Sequence, residues 1–147
     1  MLIVVQRVTK SKVLVDSSIV GEIEKGLNIL LGVFKGDTLE DAQKLIYKLV
    51  DLRIFNDEQG KMNLSVKDVN GSALVISQFT LVGSVKKGRR PSFDLAEEPA
   101  KAKKLYADFC LELSGHIPVE QGVFASDMQV EIHNDGPVTF ILDSKQL

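Results

Sequence analysis

The chain has 147 residues, 44% of them hydrophobic and 26% charged, which suits one domain, residues 1–147, with a core of ordinary size and no room for a second. Its net charge of −2 argues against a protein wrapped in nucleic acid, although a local basic patch could still hold a few phosphates. A single cysteine excludes an intrachain disulfide, and with neither an apolar signal segment nor a run of about eighteen apolar residues, neither secretion nor membrane spanning is suggested and the cytoplasm is the expected compartment.

Runs of β-branched and aliphatic residues at Leu2–Val8, Lys12–Val15, Ile19–Ile23 and Leu27–Phe34, separated by Ser, Asp and Gly, predict an antiparallel meander. Thr38 with Asp41 has the spacing of a capping box, and Leu39, Ala42, Leu45, Ile46 and Leu49 recur at helical intervals to a stop near Asp51. Arg53–Phe55 reads as a short strand, and Ala73–Val82 as a longer one whose unbroken apolar run suggests burial on both faces. Pro99 suits a first helical position, and Ala102, Leu105, Tyr106, Phe109 and Leu113 carry a second helix to Gly115, with Cys110 as a small buried hydrophobe within it. Strands at Met128–His133 and Val138–Leu142 close the chain, with Asp135-Gly136 as a hairpin-turn signal between them. The helices are too few for regular βαβ alternation, so the expected class is α+β: a curved or barrel-like antiparallel sheet carrying two helices.

Several chemistries find no support. His116 and His133 are the only histidines and form no zinc pattern with Cys110, so no metal site is expected, and His133 suits an exposed strand position better than a base. Ser77 lacks the Gly-x-Ser-x-Gly elbow of a hydrolase nucleophile. "GSVKKGR", Gly83 to Arg89, has the glycines of a phosphate loop without its Lys-Ser/Thr ending, which argues against nucleotide hydrolysis.

Four segments depart from ordinary loop or strand composition. "GKMNLS" places Met62 and Leu64 in a polar turn, as a core-capping loop or part of a site. "SQFTL" ends a buried strand with Ser77, Gln78 and Thr80, polar side chains that either cap the strand or face a cleft; each left unpaired would cost roughly 1–3 kcal/mol. "KKGRRPSF" gathers Lys86, Lys87, Arg89 and Arg90 around a glycine, a solvated loop or a set of phosphate ligands. In "NDGPVTFILD", Pro137 cannot donate to a ladder, so it either opens an edge strand or belongs to a Gly136-Pro137 unit that aims its carbonyls at something.

These segments, with "VVQRV" at Val4–Val8, "LRIFND" at Leu52–Asp57 and the closing "NDGPVT", resemble the D-aminoacyl-tRNA deacylases over nearly the whole chain and in order. The pairing of SQFT with GPVT is the specific part of the likeness. The resemblance implies a cofactor-free cytoplasmic homodimer that hydrolyses the ester joining a D-amino acid to the 3′-terminal adenosine of tRNA, and that also removes glycine misattached to tRNA for alanine. It implies a cis Gly136-Pro137 bond inserted across the dimer interface, with both carbonyls facing the substrate ammonium beside Ser77, Gln78, Phe79 and Thr80 of the other subunit. An L-side chain would be driven into those carbonyls, whereas a D-side chain would point away and glycine would have nothing to exclude.

The resemblance further assigns oxyanion stabilisation to backbone N–H groups of Ser77–Thr80 and activation of water to the adenosine 2′-hydroxyl; no activator for Thr80 as a nucleophile is visible. It gives Arg7 the task of orienting the Gly-Pro loop, places Met62, Phe124 and Met128 with the adenosine pocket, and gives the basic loop to the tRNA backbone. Two departures stand out: Ala125 where the family pattern has glycine, and "VGS" after SQFTL where Tyr-Ala-Asp is common. A non-catalytic RNA-binding dimer and a hydrolase of other small esters are the alternative classes.

Overall fold

In the computed structural model, which describes residues Met1–Leu147, the first strand β1 (Leu2–Val15) runs unbroken where the sequence pattern predicts two. The exposed Thr9-Lys10 pair between the two predicted runs lies at a register shift against the last strand, so pairing resumes without a break in β1. Asp16 and Ser17, both at positive φ, turn the chain into β2 (Ser18–Ile23), and β3 (Gly26–Gly32) follows end to end with it along the same side of β1. The antiparallel pairing is as predicted, but the meander order is not: β1 is long enough to take β2 and β3 in succession, so these two pair with it and not with each other.

Thr38 and Asp41 complete the capping box of α1 (Leu39–Val50), as the spacing predicts. A small hairpin, β4 (Phe55–Asn56) with β5 (Met62–Leu64), leads to β6 (Ser72–Ser77), which pairs parallel to β3. Helix α2 (Pro99–Ser114) begins with its proline and returns the chain to β7 (Val119–Gln121), parallel to β6. Each helix thus lies within a crossover between parallel neighbours, so the sheet is mixed and not antiparallel throughout as the pattern predicts. β2 curls back towards β7: a Cβ at Gly21 would stand 2.6 Å from the Gln121 carbonyl oxygen, and the barrel is nearly closed. The α+β class and the barrel-like sheet with two helices hold.

Alternate residues of β6 serve two cores. Ala73 and Val75 join Ile3, Ile29, Leu45 and Phe109 under the helices, whereas Leu74 and Ile76 face Val8, Val13 and Ile23 inside the curled sheet. Burial on both faces accounts for the unbroken apolar run. The strand nevertheless ends at Ser77, not at Val82. Its neighbour β3 stops at Gly32, leaving no ladder partner, and Phe79–Val82 coils into a 3-10 turn.

The last strand, β8 (Gln129–Asp143), also differs from the predicted pair. Asp135-Gly136 reverses nothing: both flanks pair antiparallel with β1, Asn134 opposite Val8 and Thr139 opposite Gln6, and Asp135–Val138 bulges between them. A turn dipeptide supplies the conformational freedom of a bulge as readily as that of a hairpin.

The α-ammonium of Met1 is enclosed, 2.6 Å from Asp37 Oδ2, and donates to Ser144 Oγ at 2.8 Å. Ser144 Oγ and Lys145 Nζ each donate to Asp41 Oδ1 at 2.8 Å, tying both chain ends to the start of α1. Cys110 is buried in α2. No helix is long and apolar enough to cross a membrane.

Candidate active site

Where β6 gives way to the 3-10 turn, a cleft of about 810 Å³ opens. Ile76, Ser77, Gln78 and Phe79 form one side, Glu97, Pro99 and Ala102 at the start of α2 another, and Phe124, Ala125, Asp127 and Met128 a third. Three of the four SQFT residues therefore share one cavity with Phe124 and Met128. Thr80 is exposed and lies outside the lining; its Oγ1 accepts a hydrogen bond from Gln78 Nε2.

The backbone here is selectively committed. The Gln78 N–H donates to the Leu31 carbonyl at 2.8 Å, while Phe79 and Thr80, opening the 3-10 turn, have no backbone acceptor for theirs. Two neighbouring N–H groups beside a concave, partly apolar surface can stabilise a developing negative charge on oxygen.

Sequence reasoning missed the α2 side of the cleft. Glu97 accepts from Lys101 Nζ at 2.6 Å, from the Glu98 N–H at 3.0 Å and from the Gly36 N–H at 3.2 Å, so its carboxyl is held down to about 2 and carries charge throughout the neutral range. The only signal in the sequence is its place just before the N-terminal proline of α2. Ala125, where the resemblance leads one to expect glycine, has φ of 61°, the left-handed region that favours glycine.

A second cluster lies outside this cleft. Arg7, 5% exposed, donates from Nη1 to the Ile54 carbonyl at 2.8 Å and to Asn56 Oδ1 at 3.3 Å, and from Nε to the Asp135 carbonyl at 3.2 Å; Nε is also 3.1 Å from Asp135 Oδ2. It thereby ties the β4–β5 hairpin to the bulge that presents exposed Gly136 and Pro137. Asn134 closes the mouth of the bulge, accepting from the Val138 N–H at 3.1 Å and donating to Thr139 Oγ1 at 2.9 Å. The Gly136-Pro137 peptide bond is cis. Met62, half-exposed, pairs with Asn56 and so belongs with Arg7 and the bulge, not with Phe124 and Met128. Within one chain, then, the residues grouped from sequence fall into two sets.

Lys86, Lys87, Arg89 and Arg90 are exposed on a loop clipped at its base by paired backbone bonds between Ser84 and Ser92, 2.7 and 2.9 Å, with Gly88 at φ of 70°. Phe93, just beyond, stacks obliquely on Phe79 with centroids 5.0 Å apart, which sets the loop beside the cleft. His133 is exposed on β8.

Known proteins resemble this chain in sequence and in fold. A D-aminoacyl-tRNA deacylase of Persephonella marina is 69% identical over 147 residues, covering 100% of both chains. A solved structure described as c-Myc DNA Unwinding Element Binding Protein superposes with a TM-score of 0.92 at 39% identity, over 97% of this chain and 98% of that one. Another, of a probable eukaryotic D-amino acid tRNA deacylase, has a TM-score of 0.82 at 18% identity over the same shares, a likeness of fold. The model of one family, D-Tyr-tRNA(Tyr) deacylase, matches residues 4–143, spanning both the cleft and the bulge, and it is to this family that the chain belongs.

Proposed function

We propose that the protein is a cytoplasmic D-aminoacyl-tRNA deacylase acting as a homodimer, and that it also releases glycine from mischarged tRNA for alanine. The observation that carries this reading is the cleft itself, in which Ser77, Gln78 and Phe79 meet Phe124 and Met128 in a chain of this family.

The terminal adenosine lies against Phe124 and Met128, with its ester carbonyl at the strand end. Water, activated with help from the adenosine 2′-hydroxyl, attacks the carbonyl carbon. The Phe79 and Thr80 N–H groups receive the oxyanion; one proton of the water goes to the leaving 3′-oxygen, and the other is released to solvent as the amino acid departs as a carboxylate. Since Gly136 and Pro137 do not line their own chain's cleft, they act on that of a second copy. There the carbonyls of Gly136 of the partner subunit and Pro137 of the partner subunit take the substrate ammonium and exclude an L-side chain. The basic loop beside Phe79 holds the tRNA backbone.

The test is amino acid release from matched D- and L-tyrosyl-tRNA. Hydrolysis confined to the D-form is the expected result. Equal turnover of both, or of neither, overturns the reading; turnover of small esters with no salt dependence would favour a different esterase.

A further inference from the structure

We propose that Tyr106, which lies behind the cleft and does not line it, is a positioning residue whose hydroxyl fixes the catalytic strand end and whose ring fixes the adenosine wall. The inference rests on the deacylase reading and adds a division of labour within one side chain.

Tyr106 sits on the sheet-facing side of α2 and is 4% exposed. Its hydroxyl donates to the Val75 carbonyl at 2.8 Å, the only side-chain hydrogen bond from α2 to the sheet. Val75 lies two residues before Ser77, and the same carbonyl accepts the Gly122 N–H at 3.0 Å, in the segment that leads to Phe124. One acceptor therefore ties together helix, strand and the start of the Phe124 wall. The ring packs against Phe124 with centroids 5.9 Å apart and planes at 47°, supporting from behind the aromatic that faces the cleft. Burial, with Cys110 beside it, raises the phenol well above its ordinary range, so the hydroxyl is a permanent donor at working pH.

The hydroxyl can be removed without leaving a buried acceptor unpaired, because Gly122 still serves the Val75 carbonyl. Tyr106→Phe therefore keeps the fold and the prop under Phe124, and frees only the strand. Tyr106→Leu removes both supports.

The experiment measures kcat and KM on D-aminoacyl-tRNA, the Kd of adenosine bearing D-alanine in 3′-amide linkage, and amide hydrogen exchange at Gln78. Tyr106→Phe should lower kcat roughly tenfold with KM and Kd unchanged, and speed exchange at Gln78, whose N–H bond to Leu31 closes the ladder. Tyr106→Leu should show the same loss in kcat and, in addition, a rise of roughly tenfold in KM and Kd. Parallel losses in kcat and KM in both variants, or unaltered exchange at Gln78 in Tyr106→Phe, would overturn the proposal. Absence of turnover by the unsubstituted protein would instead defeat the deacylase reading, leaving exchange and Kd to judge Tyr106.

Discussion

A methyl group on Gly136 would stand 3.0 Å from Arg7 Nη2, so the guanidinium that anchors the bulge also fills the space a side chain there would need. With φ of 123° and Val138 Cγ2 only 2.7 Å from the same point, the position is restricted to glycine by backbone and surroundings alike. Gly136→Ala should cost roughly 1–3 kcal/mol through the backbone alone and displace the bulge. Arg7→Lys, which loses the planar fork joining Ile54, Asn56 and Asp135, should mimic it. Thermal midpoints and kcat/KM on D-tyrosyl-tRNA check both; wild-type activity in Gly136→Ala would show that the bulge is not used.

If each bulge serves another copy's cleft, two inactive variants should complement. Mixing a protein inactivated in Ser77–Thr80 with Gly136→Ala, under conditions of proven subunit exchange, should restore part of the turnover, since one of the two sites in a mixed dimer is intact. No recovery would count strongly against a shared site.

Neutralising Lys86, Lys87, Arg89 and Arg90 should weaken tRNA binding while leaving saturated turnover largely intact. The slope of log affinity against log salt should become shallower by roughly 0.7–0.9 for each phosphate that the loop no longer neutralises. Collapse of kcat would make the loop part of the chemistry.

Thr80 has a hydroxyl outside the cleft lining and no histidine or lysine partner, so it should not form a covalent intermediate. Thr80→Ala should keep substantial deacylation, because its backbone N–H remains. A substrate carrying the amino acid at the 3′ position of a 2′-deoxyadenosine should fall severely, on the scale of the roughly 100- to 1,000-fold typical of a direct catalytic donor. A trapped acyl-Thr80 would reverse the assignment.

Acid stability should depend on Asp41 and Glu97. Burial opposes ionisation of Asp41, yet the bonds from Lys145, the Thr38 N–H and Ser144 hold its carboxyl well below the usual range, and Glu97 is held down to about 2 by Lys101 and two backbone N–H groups. Both folded values lie below the unfolded ones, so the unfolded chain binds more protons. The stabilisation is complete above about pH 5 and is lost as pH falls through about 4 towards the folded values. Thermal midpoints from about pH 6 to about 2.5 should fall less steeply in Asp41→Asn and Glu97→Gln than in the parent; an identical slope would contradict the linkage.

Features decided within a few residues were legible in the sequence: the Thr38/Asp41 cap, the proline at the start of α2, and the unbroken apolar run that marks β6 as buried on both faces. Features decided by distant partners were not. That β3 stops at Gly32 determines where β6 ends, and nothing in Ala73–Val82 records it. Likewise, whether Asp-Gly reverses a chain or bulges from it depends on β1 being long enough to pair with both flanks. The SQFT and GPVT motifs named residues, whereas the split of Arg7 and Met62 from Phe124 and Met128 depends on tertiary placement. Glu97 and Tyr106 look in sequence like an ordinary helix entry and an ordinary core aromatic.

Because Asn134 and Thr139 are each held in register with β1, the length of the bulge between them is uncoupled from the parity of the sheet. A residue added within Asp135–Val138 would lengthen the protrusion and leave every side chain of β8 on its present face. A residue added in either flank would turn that flank inside out, sending Val130 and Ile132 to solvent or Ile141 towards the core. Which face each flank of the strand presents is therefore set by its own pairing with β1 and not by the length of the projection between them.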